Sequence, residues 1–151
     1  QDTSSAASDV YKRQGEMSLV GEAKRSLGEE NGAIADPAWR AQVLKYEMDN
    51  GAFRLAQRRA VEESEGGTPG PVTSIFKVYG SELQQAYYDM KLKLRGVRGF
   101  PDTISDSGDV YEADELTATK NWLYYRAASI YSGSNEVQRN IIAKRVLGLP
   151  D

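Results

Sequence analysis

The sequence predicts an all-α fold, an antiparallel bundle of four helices joined by short connections. Two observations carry the prediction. Apolar residues recur at three- and four-residue intervals through several segments, and no stretch keeps up the two-residue alternation of a strand long enough to compete. The segments are also bracketed by residues that start or stop helices, in "ADPAW", "TPGP", "SGSN" and "GLPD".

Residues 1–14, "QDTSSAASDVYKRQ", are rich in Ser, Asp, Ala and Gln with little apolar patterning, so a disordered or foreign leader is expected there. Residues 15–34 hold the pattern of one partial helix around Leu19, Ala23 and Leu27. Their glycines and sparse apolar residues predict poor order or a short helix. The folded domain is expected over 35–151. Its first helix starts where Asp36 caps Pro37, a residue whose missing N–H would have no partner at that position anyway. Ala41, Leu44, Met48, Ala52, Leu55 and Ala56 then form the face expected to turn inward, up to about Glu63, and Gly66, Gly67, Pro69 and Gly70 end the helix.

The second helix carries Val72, Ile75, Phe76, Tyr79, Leu83, Ala86, Tyr87, Met90 and Leu94 in a near-heptad rhythm. That stripe is wide enough to face two neighbours, so this helix should be central. Gly96 and Gly99 stop it, and a loop rich in Asp and Ser follows to about Val110. A third helix is expected from about Glu112 to Ile130, with Leu116, Thr119, Leu123, Ala127 and Ile130 on its inner side and Trp122 and Tyr125 at the edges. After a turn at Ser132 and Gly133, a fourth helix starts near Ser134 with Val137, Ile141 and Ile142 inward, and Gly148 and Pro150 stop it.

Composition narrows the chemistry. The 151 residues, 40% hydrophobic and 27% charged, place the chain among ordinary soluble domains, and no apolar run approaches the roughly 20 residues of a membrane span. The amino terminus has no apolar secretory core, so a cytoplasmic home is expected. A net charge of −3 argues against nucleic acid as the main partner. "KLKLRGVR" is locally basic, but no stacking or groove-reading motif accompanies it. Without Cys or His there is no disulfide, no Cys- or His-type zinc site, no thiolate nucleophile and no Ser-His-Asp triad within the chain. Any acid or base must be Asp, Glu, Lys or Tyr, or must come from elsewhere.

Most remaining clusters have structural explanations. Tyr87 and Tyr88 are expected at helix interfaces. Arg54, Arg58 and Arg59, with Glu62, Glu63 and Glu65, form a solvated charged face. The turn "SGSNEVQRN" differs. Gly133 allows a positive φ or a close backbone approach, Ser134 caps the next helix, and the N–H groups of Asn135, Glu136 and Val137 are expected to point outward as an anion site.

The continuation "RAASIYSGSNEVQRNIIAKRVLGLP" resembles the carboxyl-terminal signature of the acyl-CoA dehydrogenases. "ADPAWRAQVLKYEMDNGAFRLAQRRA" and "GPVTSIFKVYGSELQQ" resemble the paired long helices of that family's carboxyl-terminal domain. The likeness runs from about Ala35 to Pro150. It implies an FAD-dependent enzyme of fatty acid metabolism that removes a hydride from the β-carbon and a proton from the α-carbon of an acyl-CoA thioester, giving trans-2-enoyl-CoA. Carried onto this sequence, the resemblance assigns cofactor contacts to Gly133, Ser134 and Glu136, and to Gly96 in "LRGVRGF" across a subunit boundary, where Arg98 is unusual. It also implies a homo- or hetero-oligomer, a dimer of dimers.

Two departures qualify the expectation. The place that many relatives give to a catalytic glutamate is held by Ser132, whose hydroxyl is too weak a base for a carbon acid, so no catalytic residue is assigned in this chain and no metal is expected. The amino-terminal and middle domains of complete members have no counterpart, so a fragment inactive by itself is expected, with exposed apolar surface along the second-helix stripe and at Trp39, Phe53 and Phe100. Two alternatives stay open: a non-catalytic FAD-binding subunit of a heteromeric enzyme, and a helical interaction module without cofactor.

Overall fold

The computed structural model describes residues 18–64, 70–99 and 117–150. Five helices run through them: α1 (Leu19–Leu27), α2 (Pro37–Glu63), α3 (Thr73–Arg95), α4 (Ala118–Arg126) and α5 (Asn135–Ile141). Between α1 and α2 lies a small antiparallel ladder of β1 (Glu29–Glu30) and β2 (Ala33–Ile34). Several expectations fall outside these residues: the leader 1–14, the stop signals Gly66, Gly67 and Pro69, Phe100, the loop after Gly99, and the start of the third helix with Leu116.

Residues 18–34, ahead of the first long helix, hold the short helix, one of the two outcomes expected there. Ser18 caps α1 by accepting from Gly21 N–H, and Leu19 and Ala23 are buried in the core. The ladder closes through Asn31 and Gly32, both at positive φ, as a two-residue hairpin loop requires. It delivers Ile34 to the same core.

α2 begins as the sequence indicates, with Asp36 accepting from Trp39 N–H at 2.8 Å and Pro37 in the first turn. Its orientation is the reverse of the expected one. Val43 and Tyr46 are buried and Trp39 and Phe53 pack beside them, while Leu44 is 59% exposed and Met48 and Leu55 also face outward. The reason is size and fit. Trp39, Tyr46 and Phe53 stand seven residues apart on one face, and aromatic rings remove more area from water than the Leu and Met stripe opposite. Phe53 is seated over Gly80 of α3, where an added Cβ would stand 2.9 Å from its ring, and it meets Phe76 and Tyr79 at 5.9 and 5.7 Å. Trp39 and Phe53 are therefore packed residues and not the exposed surface expected of them, whereas Ile75 and Tyr79 of the second-helix stripe are each 38% exposed, as expected. The outer charges pair within the helix, Lys45 with Asp49, Arg58 with Glu62 and Arg59 with Glu63.

α3 is the central element, touching α1, α2, α4 and α5. A row of rings crosses it: Tyr46 to Tyr87 at 6.0 Å, Tyr87 to Tyr88 at 5.1 Å, and Tyr88 stacked on Tyr125 at 4.2 Å. The locally basic "KLKLRGVR" places two of its cations inside, since Glu22 of α1 is buried and binds Arg95 Nε at 2.5 Å, with Lys91 at 3.7 Å.

α4 and α5 are also rotated from their expected faces. On α4, Tyr125 stacks on Tyr88 and Trp122 donates to Asp89, so the rings take the interior and Leu123 is 58% exposed. The helix gives way to a 3₁₀ turn at Ala127–Ser129, which leaves Ile130 outside and Ala128 buried. On α5 the buried residue is Asn135, and Val137 is 51% exposed. A single π-turn, Ile142–Val146, continues α5, and Gly148 at φ 64° ends it. Among the described residues no helix is long and apolar enough to cross a membrane.

The rotated faces yield a paired prediction. Leu19→Ala empties a core site and is expected to lower unfolding free energy by about 2 to 5 kcal/mol, whereas Leu44→Ala stays within about 0.5 kcal/mol, both read by urea denaturation.

Candidate functional site

The corner between α4 and α5 is built from two consecutive residues in the left-handed region, Ser132 at φ 56° and Gly133 at φ 89°. A Cβ at Gly133 would lie 2.6 Å from Gln138 Nε2, the free end of a flexible side chain that can move aside, so the positive φ is what favours glycine there. Ser132 enjoys no such freedom. A left-handed L-residue costs about 1 to 2 kcal/mol, so the surroundings must hold the reversal in place.

Ser134 caps α5 as expected, its hydroxyl accepting from Val137 N–H at 3.4 Å, while its carbonyl accepts from Gln138 N–H. The expectation of three outward-facing amides is corrected here. Val137 N–H is taken by Ser134. The Glu136 carboxyl is held below the ordinary carboxylate range, first by its own backbone N–H and then by the Ser134 side chain, with smaller help from the Arg139 and Lys77 charges. A fully exposed carboxylate thus stands at the tip where an anion was expected. The corner presents a hydroxyl and a carboxylate, a set suited to hydroxyl groups of a ligand and poorly suited to bare phosphate.

Beneath the corner lies a polar cluster that sequence reading missed. Lys77 Nζ donates to Ala128 O at 2.7 Å and to Asn135 Oδ1 at 3.3 Å, and lies 5.9 Å from the centre of the Tyr131 ring. Ser81, one turn along α3, donates its hydroxyl proton to Val78 O at 2.8 Å and accepts from the buried Asn135 Nδ2 at 3.0 Å. Partial burial pushes the Lys77 ammonium below its usual range, against the pull of Glu136. The available signal was a lysine and a serine four residues apart in the otherwise apolar "SIFKVYGS", which places both on one side of a helix. Farther out, Arg139 bridges to Glu82 at 2.8 Å.

Gly133, Ser134 and Glu136 are brought together, with the exposed Ser132 beside them. Gly96 is not. It caps the far end of α3 at φ 54° with open space around it, and from Ser81 to Gly96 the helix axis rises roughly 22 Å at 1.5 Å per residue. Gly96 thus lies at the opposite end of α3 from the corner.

The family model for the acyl-CoA dehydrogenase C-terminal domain matches residues 17–147. The match begins at the start of α1, earlier than the likeness read from Ala35. Among curated relatives, the acyl-CoA dehydrogenase IpdE1 of Mycobacterium tuberculosis is 72% identical over 142 residues, covering 93% of this chain and 33% of that protein. The acyl-CoA dehydrogenase IpdE1 of Mycolicibacterium smegmatis is 31% identical over 124 residues, covering 82% of this chain and 29% of that protein. The chain spans about a third of the length of these relatives. No solved structure is a significant match.

Two measurements probe the corner. Gly133→Ala brings left-handed strain and is expected to lower stability by about 1 to 2 kcal/mol in chemical denaturation. Because the Glu136 midpoint is depressed on folding, its contribution is present above the ordinary carboxylate value of 4.5 and is lost as pH falls through the lower folded midpoint. Carboxyl-detected NMR titration should show that midpoint moving up in Ser134→Ala.

Proposed function

Because the chain belongs to the acyl-CoA dehydrogenase family, as its C-terminal domain, we propose that it forms the helical wall of an FAD site in a larger enzyme that converts acyl-CoA thioesters to trans-2-enoyl-CoA. The observation that carries this reading is the corner itself. A reversal through Ser132 and Gly133, both at positive φ, brings the exposed Glu136 next to the Ser134 hydroxyl. The fit is to the sugar portion of the nucleotide: the Glu136 carboxylate accepts from ribose hydroxyls, the Ser134 hydroxyl keeps that carboxylate ionised and oriented, and phosphate groups are displaced from the tip by like charge. The flavin, when bound, supplies the hydride acceptor.

Ser132 supplies no base, so the group that takes the α-proton comes from another part of the polypeptide or from a partner subunit. Gly96, remote from the corner, serves the cofactor site of a neighbouring subunit in a homo- or hetero-oligomer, arranged as a dimer of dimers in the cytoplasm. The exposed Leu44, Met48 and Leu55 give such an assembly an apolar face to cover. The acyl-CoA site is shared with the amino-terminal and middle domains of the complete enzyme, and the 151 residues alone do not turn over substrate.

A non-catalytic FAD-binding subunit is the second reading, favoured by Ser132 in particular. Ser132→Glu in the complete enzyme separates the two: a large gain in acyl-CoA oxidation marks a missing base, and an unchanged rate marks a base held elsewhere.

Co-production of the chain with the remaining domains is expected to yield a yellow complex with flavin absorbance near one FAD per chain, while the chain alone reduces no electron acceptor with any acyl-CoA. A stable but colourless complex with those domains would overturn the FAD reading and leave a helical interaction module.

A further inference from the structure

The reversal at Ser132 and Gly133 does not hold itself in place. Its cap is a long 3.4 Å bond, and the α-helix that follows has seven residues, too few to persist without tertiary support. The support comes from α3, where Gln85 donates to Arg126 O and Ser129 Oγ, Glu82 bridges to Arg139, and one further side chain reaches both arms. Lys77 reaches Ala128 O, at the 3₁₀ turn that leads into the corner, and Asn135 Oδ1, at the first position of the helix that leaves it. One cation therefore holds both arms of the reversal. A lysine with no such task would extend its flexible stem and place its ammonium in water. Here the ammonium turns inward to a carbonyl at 2.7 Å, and Ser81 fixes the Asn135 amide from the other side. With the oxygen and the nitrogen of the Asn135 amide both engaged by α3, the backbone from Tyr131 to Glu136 has little room to shift along that helix.

We propose that Lys77, acting through Asn135 and the Ala128 carbonyl, is the positioning residue that sets where Ser134 and Glu136 stand above α3, and thereby where the FAD nucleotide is gripped. The statement about FAD rests on the proposed function; the statement about the corner does not.

The test uses the complete polypeptide that carries this chain, purified with its flavin, and reads two quantities: amide hydrogen exchange over residues 130–138, and the FAD dissociation constant from flavin fluorescence. Lys77→Met and Asn135→Leu are each expected to speed exchange at the corner about tenfold and to weaken FAD about tenfold, with the rest of α3 and all of α2 unchanged. Asn135→Asp keeps an acceptor for Lys77 and is expected to stay within about threefold of the parent in both readouts, which separates positioning from general damage. Unchanged corner exchange in both of the first two variants overturns the proposal. So does faster exchange spread evenly over the chain, which would make Lys77 a general stabiliser. A response to Lys77→Met alone also overturns it, because the charge would then act without Asn135. Faster corner exchange with unchanged FAD affinity supports the positioning role and removes FAD from the corner, so the two readings fail separately.

Discussion

Everything in this domain is placed by its contacts with one helix. α3 meets α1, α2, α4 and α5, and apolar burial alone would let each of them slide or turn against it, because the hydrophobic effect has no direction. Direction comes from polar and aromatic pins spaced along α3. Near its start Lys77 and Ser81 hold the corner before α5, and at mid-length Tyr87 and Tyr88 meet rings from α2 and α4. Toward its end Asp89 accepts from Trp122, and Lys91 and Arg95 close on the buried Glu22 of α1. Such buried ions add little net stability as pairs, yet leaving one partner unpaired is strongly destabilising, so they penalise any register but this one.

How much of this the sequence discloses depends on whether a signal is local. The cap at Asp36 with Pro37, the extent of α2 to Glu63, the cap at Ser134 and the stop at Gly148 are set by a few adjacent residues, and all can be read directly. Facing is a different matter. α2 has two apolar sides, and three- and four-residue spacing fits Ala41, Leu44, Met48 and Leu55 as well as Trp39, Val43, Tyr46 and Phe53. The choice is made by Gly80, a seat for Phe53 that lies on another helix. On α4 a shared plane with Tyr88 outranks a leucine stripe for the same reason. The hairpin at Asn31 and Gly32 is a local signal that the sequence does contain, and its strands are too short to register as alternation.

The corner shows the same division at the scale of a site. Its position, its glycine and its capping serine are legible, and the family likeness singles out Ser134 and Glu136. The electrostatic character is not legible, because it turns on which way one carboxylate points. A helix start with Glu at its second position looks like an anion site by its backbone and behaves as a self-neutralised tip once that side chain folds back on its own amide. The Lys77 and Asn135 tether lies 58 residues apart along the chain, so no window of sequence contains it.

Ser132 stands exposed in the left-handed region, between a buried network and open space. Exposure frees that side chain from any packing partner in the bundle, yet the backbone still selects among side chains, because a positive φ is tolerated best by glycine, asparagine and aspartate and worst by β-branched or bulky residues. The filter at this point is thus one of shape close to the main chain. Short polar groups, serine and aspartate among them, can replace one another there without repacking the helices.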